Sequence, residues 1–178
     1  MKTAIVYFSL DGNTDYVARK IAKIINDCDL IKLETVTPCH TKGWKKMLLN
    51  GKDAMSGATP ELEPYEFDAS RYDMVLLGSP IWAGRVAPAM NTFIEENIDD
   101  ILELGPENIG VFLCQSGKNY KGTFKRLRKQ LGVKRIGSEL SLVDPYKNIE
   151  DAVDNLEKIA IFCRQMVKGG RRRSRIIR

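Results

Sequence analysis

The 178-residue sequence predicts an α/β protein: a parallel sheet covered on both faces by helices. Three observations carry that expectation. Short, near-continuous apolar runs at residues 5–8, 74–77 and 109–113 read as strands buried on both faces. Between them lie segments with apolar residues at helical spacing, beginning with Val17, Ile21, Ile24 and Ile25. Strand and helix then alternate along almost the whole chain, a pattern that implies parallel pairing through crossover helices.

In order, the first strand at 5–8 is followed by a helix starting near Asn13, and a second strand is expected over 30–36. The third strand, 74–77, leads to a helix over 87–98. The fourth strand, 109–113, leads to a helix over 122–131. A fifth strand over 136–143 precedes a long final helix over 148–167. In that last helix Val153, Leu156, Ile159, Ala160, Cys163 and Val167 form one stripe, expected to cover the sheet.

Two turns at strand carboxyl ends carry the functional signal. Ser9-Leu10-Asp11-Gly12-Asn13-Thr14 joins the first strand to the first helix. A helix beginning there leaves its first N–H groups unpaired and presents the positive end of its dipole, so a phosphate is stabilised without any lysine. Ser9 and Thr14 offer hydroxyls, Asn13 an amide, and Gly12 permits close backbone approach. Alone, this stretch reads equally as an ordinary junction capped by Asn13 or Asp11. The second segment, Gly78-Ser79-Pro80-Ile81-Trp82-Ala83-Gly84, follows the third strand. Trp82, flanked by Pro80 and Gly84, offers a flat face for ring stacking.

With both segments in view, the sequence resembles the flavodoxin family, most closely the clostridial and archaeal flavodoxin-like FMN-binding proteins, from Lys2 to about Val167. The resemblance implies a three-layer α/β/α sandwich with a five-stranded parallel sheet in the order 2-1-3-4-5. It implies that Ser9, Leu10, Asp11, Gly12, Asn13 and Thr14 hold the phosphate of FMN. Ser79, Pro80, Ile81, Trp82, Ala83 and Gly84 would flank the isoalloxazine. A third loop, Gln115, Ser116, Gly117, Lys118, Asn119 and Tyr120 after Cys114, would reach the ribityl chain and the pyrimidine end of the ring. The chain departs from the family pattern in three ways. Asp11 stands where many members have threonine or serine. The third loop lacks the acidic start common in electron-transfer flavodoxins. Ala83 precedes Gly84, whereas many members place glycine directly after the flavin-covering residue.

The resemblance implies an FMN-binding electron-transfer protein serving redox partner proteins or a small electron acceptor. The alternative is an FMN-dependent NAD(P)H oxidoreductase acting on a quinone or similar acceptor, and a flavin-free binding module is a third reading. No residue is singled out as a catalytic acid, base or nucleophile, because FMN would carry the chemistry. Oligomeric state is expected to be monomer or homodimer.

Composition narrows the rest. Length and a 43% hydrophobic content suit one domain over 1–168, with a basic tail over 169–178. No span or signal peptide is indicated, so a cytoplasmic location is expected. Cys28, Cys39, Cys114 and Cys163 lack a Cys-x-x-Cys pair and suit reduced thiols; with Cys39-His40 the lone Cys/His neighbour pair, no metal site is expected. The five tail arginines, Arg171, Arg172, Arg173, Arg175 and Arg178, account for the net +5 and leave the preceding residues balanced. Such a cluster attracts anionic surfaces or is simply solvated, and without interleaved aromatics it makes no specific nucleic-acid domain. Within the neutral domain, Arg85 and Lys118 flank the expected flavin loops, which would ease formation of an anionic reduced flavin. One connection, 37–68, is long for this fold. Trp44, Met47 and Leu48 at helical spacing suggest a short amphipathic helix there, packing on the sheet's edge, lying over the flavin or forming a partner surface.

Overall fold

The computed structural model describes residues 1–37, 52–53, 55–116, 121–147 and 150–176, with the side chains of Lys121 and residues 170–176 left out of the description. Strands β1 (Thr3–Phe8), β2 (Cys28–Leu33), β3 (Met74–Trp82), β4 (Arg85–Val86), β5 (Ile109–Gln115) and β6 (Ser138–Val143) alternate with helices α1 (Asn13–Ile24), α2 (Pro88–Glu103), α3 (Lys121–Gln130) and α4 (Ala152–Ile176). Five strands pair in parallel in the order β2-β1-β3-β5-β6, which is the expected 2-1-3-4-5 order. The two-residue β4 folds back antiparallel on the end of β3.

β1 is buried at all six positions because it sits between β2 and β3 and under helices on both faces. Its alternating side chains feed two cores. Val6 and Phe8 join Leu77, Val111 and Leu113 with Met90, Phe93 and Ile94 of α2 and Phe124 and Leu127 of α3. Ile5 and Tyr7 join Leu76 and Phe112 with Val17 and Ile21 of α1 and Ile159, Phe162 and Met166 of α4. Two glycines let aromatic and aliphatic groups lie flat on the central strands. A Cβ on Gly78 would stand 2.1 Å from Phe112 Cζ across the β3–β5 pair, and one on Gly110 would stand 2.5 Å from Leu76 Cδ2.

Several boundaries differ from expectation. β2 begins earlier and ends at Leu33; it is an edge strand with only Leu33 fully buried, so its apolar pattern is weak. β3 does not stop at Leu77 but continues through Gly78, Ser79 and Pro80 to Trp82. β1 no longer pairs with β3 beyond Gly78, so Pro80 lies where one side of the strand is an edge and its missing N–H is tolerated. α4 presents Asn155, Ile159, Phe162, Cys163 and Met166 inward, whereas Val153 and Leu156 are exposed, rotating the buried stripe away from the expected one. That helix also runs past Val167. Gly169 does not end it; the glycine lets the helix approach the Glu107 carbonyl, 3.3 Å from where a Cβ would sit.

The long connection after β2 is described only in part, and the expected helix around Trp44 lies outside the described residues. Its later half packs on α2. Thr92 donates to the Pro60 carbonyl at 2.7 Å, and Phe67 meets Phe93 edge-on with centroids 5.1 Å apart.

Gly78→Ala is expected to cost about 1–3 kcal/mol, since Phe112 is wedged between two strands and cannot retreat. Urea denaturation would read this as a lower midpoint at unchanged slope.

Candidate functional site

The carboxyl ends of β1, β3, β5 and β6 gather four connections at one edge of the sheet. From β1 the chain crosses to β2 on one side and later returns as β3 on the other, so the connections leaving β1 and β3 diverge and leave a crevice.

At the first connection Gly12 is the residue before α1, with φ 83° in the left-handed region that favours glycine. It carries no side-chain cap. The Ser9 Oγ instead accepts from the Asp15 N–H at 3.1 Å, and Tyr16 N–H bonds the Gly12 carbonyl at 2.9 Å. Among the described residues nothing accepts from the N–H groups of Asn13 and Thr14. The Thr14 Oγ1 is buried against the Cys114 thiol at the end of β5 and has no nitrogen or oxygen partner. Unpaired donors at a helix start, beside such a hydroxyl, form a receptor for an oxyanion. Leu10 is half-buried against the core, and Asp11 is exposed.

A carboxylate braces this turn from beneath. Asp15 accepts from the Tyr7 hydroxyl at 2.7 Å and from Arg19 Nε at 2.8 Å. The Arg19 guanidinium, aided by the Tyr7 hydroxyl, holds the Asp15 carboxyl below the usual carboxylate range. Burial and the Asp15 bond push the Tyr7 phenol upward.

At the second connection Trp82 and Arg85 pair across a two-residue hairpin whose central residues, Ala83 (φ 48°) and Gly84 (φ 74°), are both left-handed. That is the geometry of a type I′ turn, and Ala83 holds it against its intrinsic preference. Ser79 is buried and spans the hairpin base, accepting from the Ala87 N–H and donating to the Pro80 carbonyl, each at 2.9 Å. Pro80, Ile81 and Trp82 are half-buried, and the Trp82 ring meets Phe8 edge-on at 5.7 Å. The hairpin therefore leans on the end of β1, beside the phosphate-type turn. Arg126 of α3 donates to the Gly84 carbonyl at 2.8 Å.

At the third connection, Gln115 is buried and donates to Ser141 Oγ at 3.2 Å, while the exposed Ser116 donates to Asp144 at 2.9 Å. Gly117, Lys118, Asn119 and Tyr120 lie outside the described residues. Cys114, at the end of β5, has its thiol pushed up to about 12 by burial, so it is no nucleophile at neutral pH.

The fourth connection was not anticipated from the sequence. Asp144, left-handed at φ 40°, accepts from Ser116 and, at 3.4 Å, from the Asn13 amide. The Tyr146 N–H donates to Asn13 Oδ1 at 3.0 Å, and its ring meets that of Tyr16 at 5.8 Å. Asp144-Pro145, a turn dipeptide at a strand's end, was the available signal.

A doubly wound sheet with an anion-receiving turn and an aromatic hairpin at its switch point defines a cofactor-binding α/β protein. The family model described as Flavodoxin matches residues 2–131, and the chain belongs to that family. Similar solved structures agree on the fold. A flavoprotein in complex with FMN from Lactobacillus acidophilus is 22% identical with a TM-score of 0.66, over 88% of this chain and 98% of that one. A flavodoxin from the domain Archaea is 13% identical, with a TM-score of 0.53 over 93% and 99% of the two chains. A flavodoxin, WrbA-like protein from Agrobacterium tumefaciens is 16% identical, with a TM-score of 0.56 over 96% and 98%. No curated protein matches the sequence. No helix among the described residues is long and apolar enough to cross a membrane.

Asp15 titrates below its unfolded value of about 4, so its bonds stabilise the fold above that pH and are lost as pH falls through the lower, folded value. Asp15→Asn is expected to lower the thermal midpoint at pH 7 and to lessen its fall on acidification to about pH 3, a comparison that thermal unfolding across that range makes directly.

Proposed function

We propose that this chain is an FMN-binding electron-transfer protein that exchanges electrons with a redox partner protein or a small acceptor in the cytoplasm. One observation carries the reading: the open N–H groups of Asn13 and Thr14 and the Thr14 hydroxyl sit at the end of β1, next to the strand whose hairpin carries Trp82. The first turn suits a phosphate and the second an aromatic ring system, and FMN has both. Bound FMN would supply reversible redox chemistry.

The residues around it bind and orient. The N–H groups of Asn13 and Thr14 would hold the phosphate with the helix dipole behind them, and the Thr14 hydroxyl, turned from the Cys114 thiol, would add a donor. The Asn13 side chain, tied to both Asp144 and Tyr146, would orient the turn from its far side. Trp82, held edge-on by Phe8, offers its face to the ring. Lacking a nucleophilic thiol or an acid–base pair in the crevice, the described residues leave the chemistry to the flavin.

The test begins with the visible spectrum of the purified protein before and after adding FMN, followed by anaerobic titration with dithionite and then NADPH. A bound-flavin spectrum, stepwise reduction by dithionite and no reaction with NADPH are expected. Rapid bleaching by NADPH would instead assign the oxidoreductase activity, and absence of flavin binding would overturn both.

Thr14→Val separates the site from the scaffold. It removes a buried hydroxyl whose neighbour is the weakly bonding Cys114 thiol, so the thermal midpoint of the flavin-free protein should change little, while FMN affinity falls about ten-fold for loss of a charge-assisted bond. Fluorescence quenching of FMN on titration reads the second effect.

A further inference from the structure

Beneath the β3–β4 hairpin, between α2 and α3, lies a cleft of about 520 Å³ that the proposed flavin site does not use. Its walls carry Arg85 from β4 and Arg126 and Lys129 from α3, against a single carboxylate, Glu95 of α2. Among the described residues none of the three cations makes an ion pair, and Arg126 bonds the Gly84 carbonyl alone. Thr123 also lines the cleft. It is 1% exposed, and its Oγ1 has no hydrogen-bond partner. A sealed hydroxyl without a partner is costly, and three cations on one cleft wall disfavour one another; an oxyanion in the cleft offsets the second cost, and the first where the Thr123 side chain turns to meet it. Asn91, bridged to Gln130 at 3.4 Å, adds an amide to the same wall.

We propose that this cleft is a second anion site that takes the phosphate of a phosphorylated small molecule, and that Arg126 ties its occupancy to the Ala83–Gly84 turn. The volume exceeds what a bare ion fills and lies in the range of sites for small organic ligands. The site is distinct from the turn at Gly12. That turn lies at the start of α1, on the opposite face of the sheet from α2 and α3, and relies on backbone N–H groups, whereas the cleft relies on side-chain cations. Arg126 joins the two functions, because the guanidinium that would meet the phosphate also holds the turn following Trp82, and Arg85 pairs with Trp82 across that turn.

Isothermal titration of the full chain, saturated with FMN so that the first anion site is filled, tests this with inorganic pyrophosphate and with ADP at low salt. Saturable binding is expected, weakened at least about ten-fold in Lys129→Gln/Thr123→Val, with FMN affinity unchanged. Stronger binding of ADP than of pyrophosphate would mark a nucleotide site, and equal binding a site for the phosphate group alone. Saturation should also shift the Trp82 emission maximum, read in a Trp44→Phe background, and Arg126→Gln should abolish that shift. Absence of saturable binding, or equal binding by Lys129→Gln/Thr123→Val, would overturn the proposal. The inference does not rest on flavin binding: if no FMN binds, the same titrations compared between the unmodified chain and Lys129→Gln/Thr123→Val, in which the turn at Gly12 is unchanged, still read the cleft.

Discussion

The placement of β1 between two strands that the chain reaches in opposite directions governs the rest of the molecule. A strand paired on both sides and covered on both faces favours apolar side chains, and Thr3–Phe8 is fully buried, with Thr3 and the Tyr7 hydroxyl as its polar groups. The same placement forces the connections after β1 and β3 to part, opening a crevice that no side chain of the core can fill. Polar groups that would be intolerable inside the sheet become usable at its end. The start of α1 can keep unpaired N–H groups, and β3 can run on past its β1 neighbour to build a hairpin. Gly78 and Gly110 serve the same arrangement from within, since only bare backbone lets Phe112 and Leu76 lie across the central strands.

A turn that receives an anion through its backbone must be held still by something other than the anion. Here the brace is Asp15, one turn into α1, which takes the Tyr7 hydroxyl on one oxygen and Arg19 on the other while its own N–H bonds Ser9. The carboxylate is thereby turned down toward the strand and away from the N–H groups of Asn13 and Thr14. Negative charge close to the turn comes otherwise from the exposed Asp11 and from Asp144, whose bonds to Asn13 and Ser116 knit three connections together. Binding and rigidity thus draw on different atoms, although Asn13 belongs to both.

The buried strands and the turn at Gly12 were legible because each rests on local pattern, continuous apolar runs and a glycine before a helix, whereas the sheet order came from the family resemblance. The hairpin was legible only in part. Residues 78–82 look like a loop because Gly78, Ser79 and Pro80 are poor strand formers, yet tertiary pairing with β5 carries the strand through them; Gly78 is there for the Phe112 ring and Pro80 for an edge. The face of α4 misled for a related reason. Val153 and Leu156 extend an apolar stripe on paper, but Phe162 and Met166 have the volume to fill the groove, and the helix rotates to bury them. The Asp144 connection was not read at all, since nothing local says that a turn after the last strand will fold back on the first helix.

The two polar regions differ in how they are charged, and the difference has a physical basis. At the start of α1 the positive potential comes from aligned peptide dipoles, fixed in place, already desolvated and needing no side chain to be ordered on binding. Such a site favours permanent retention of a cofactor. The cleft beside α3 gathers its potential from Arg85, Arg126 and Lys129, exposed side chains that give up conformational freedom and hydration whenever they close on an anion. A site of that kind binds more weakly, releases more readily and responds to salt, which suits an exchangeable ligand. Arg126 makes the arrangement more than two neighbouring sites. Its bond to the Gly84 carbonyl helps to hold a turn in which Ala83 already sits in a conformation that L residues resist, so any ligand that draws the guanidinium away removes support from a strained turn. Trp82 directly precedes that turn and pairs across it with Arg85, so the same ligand bears on the surface offered to the cofactor.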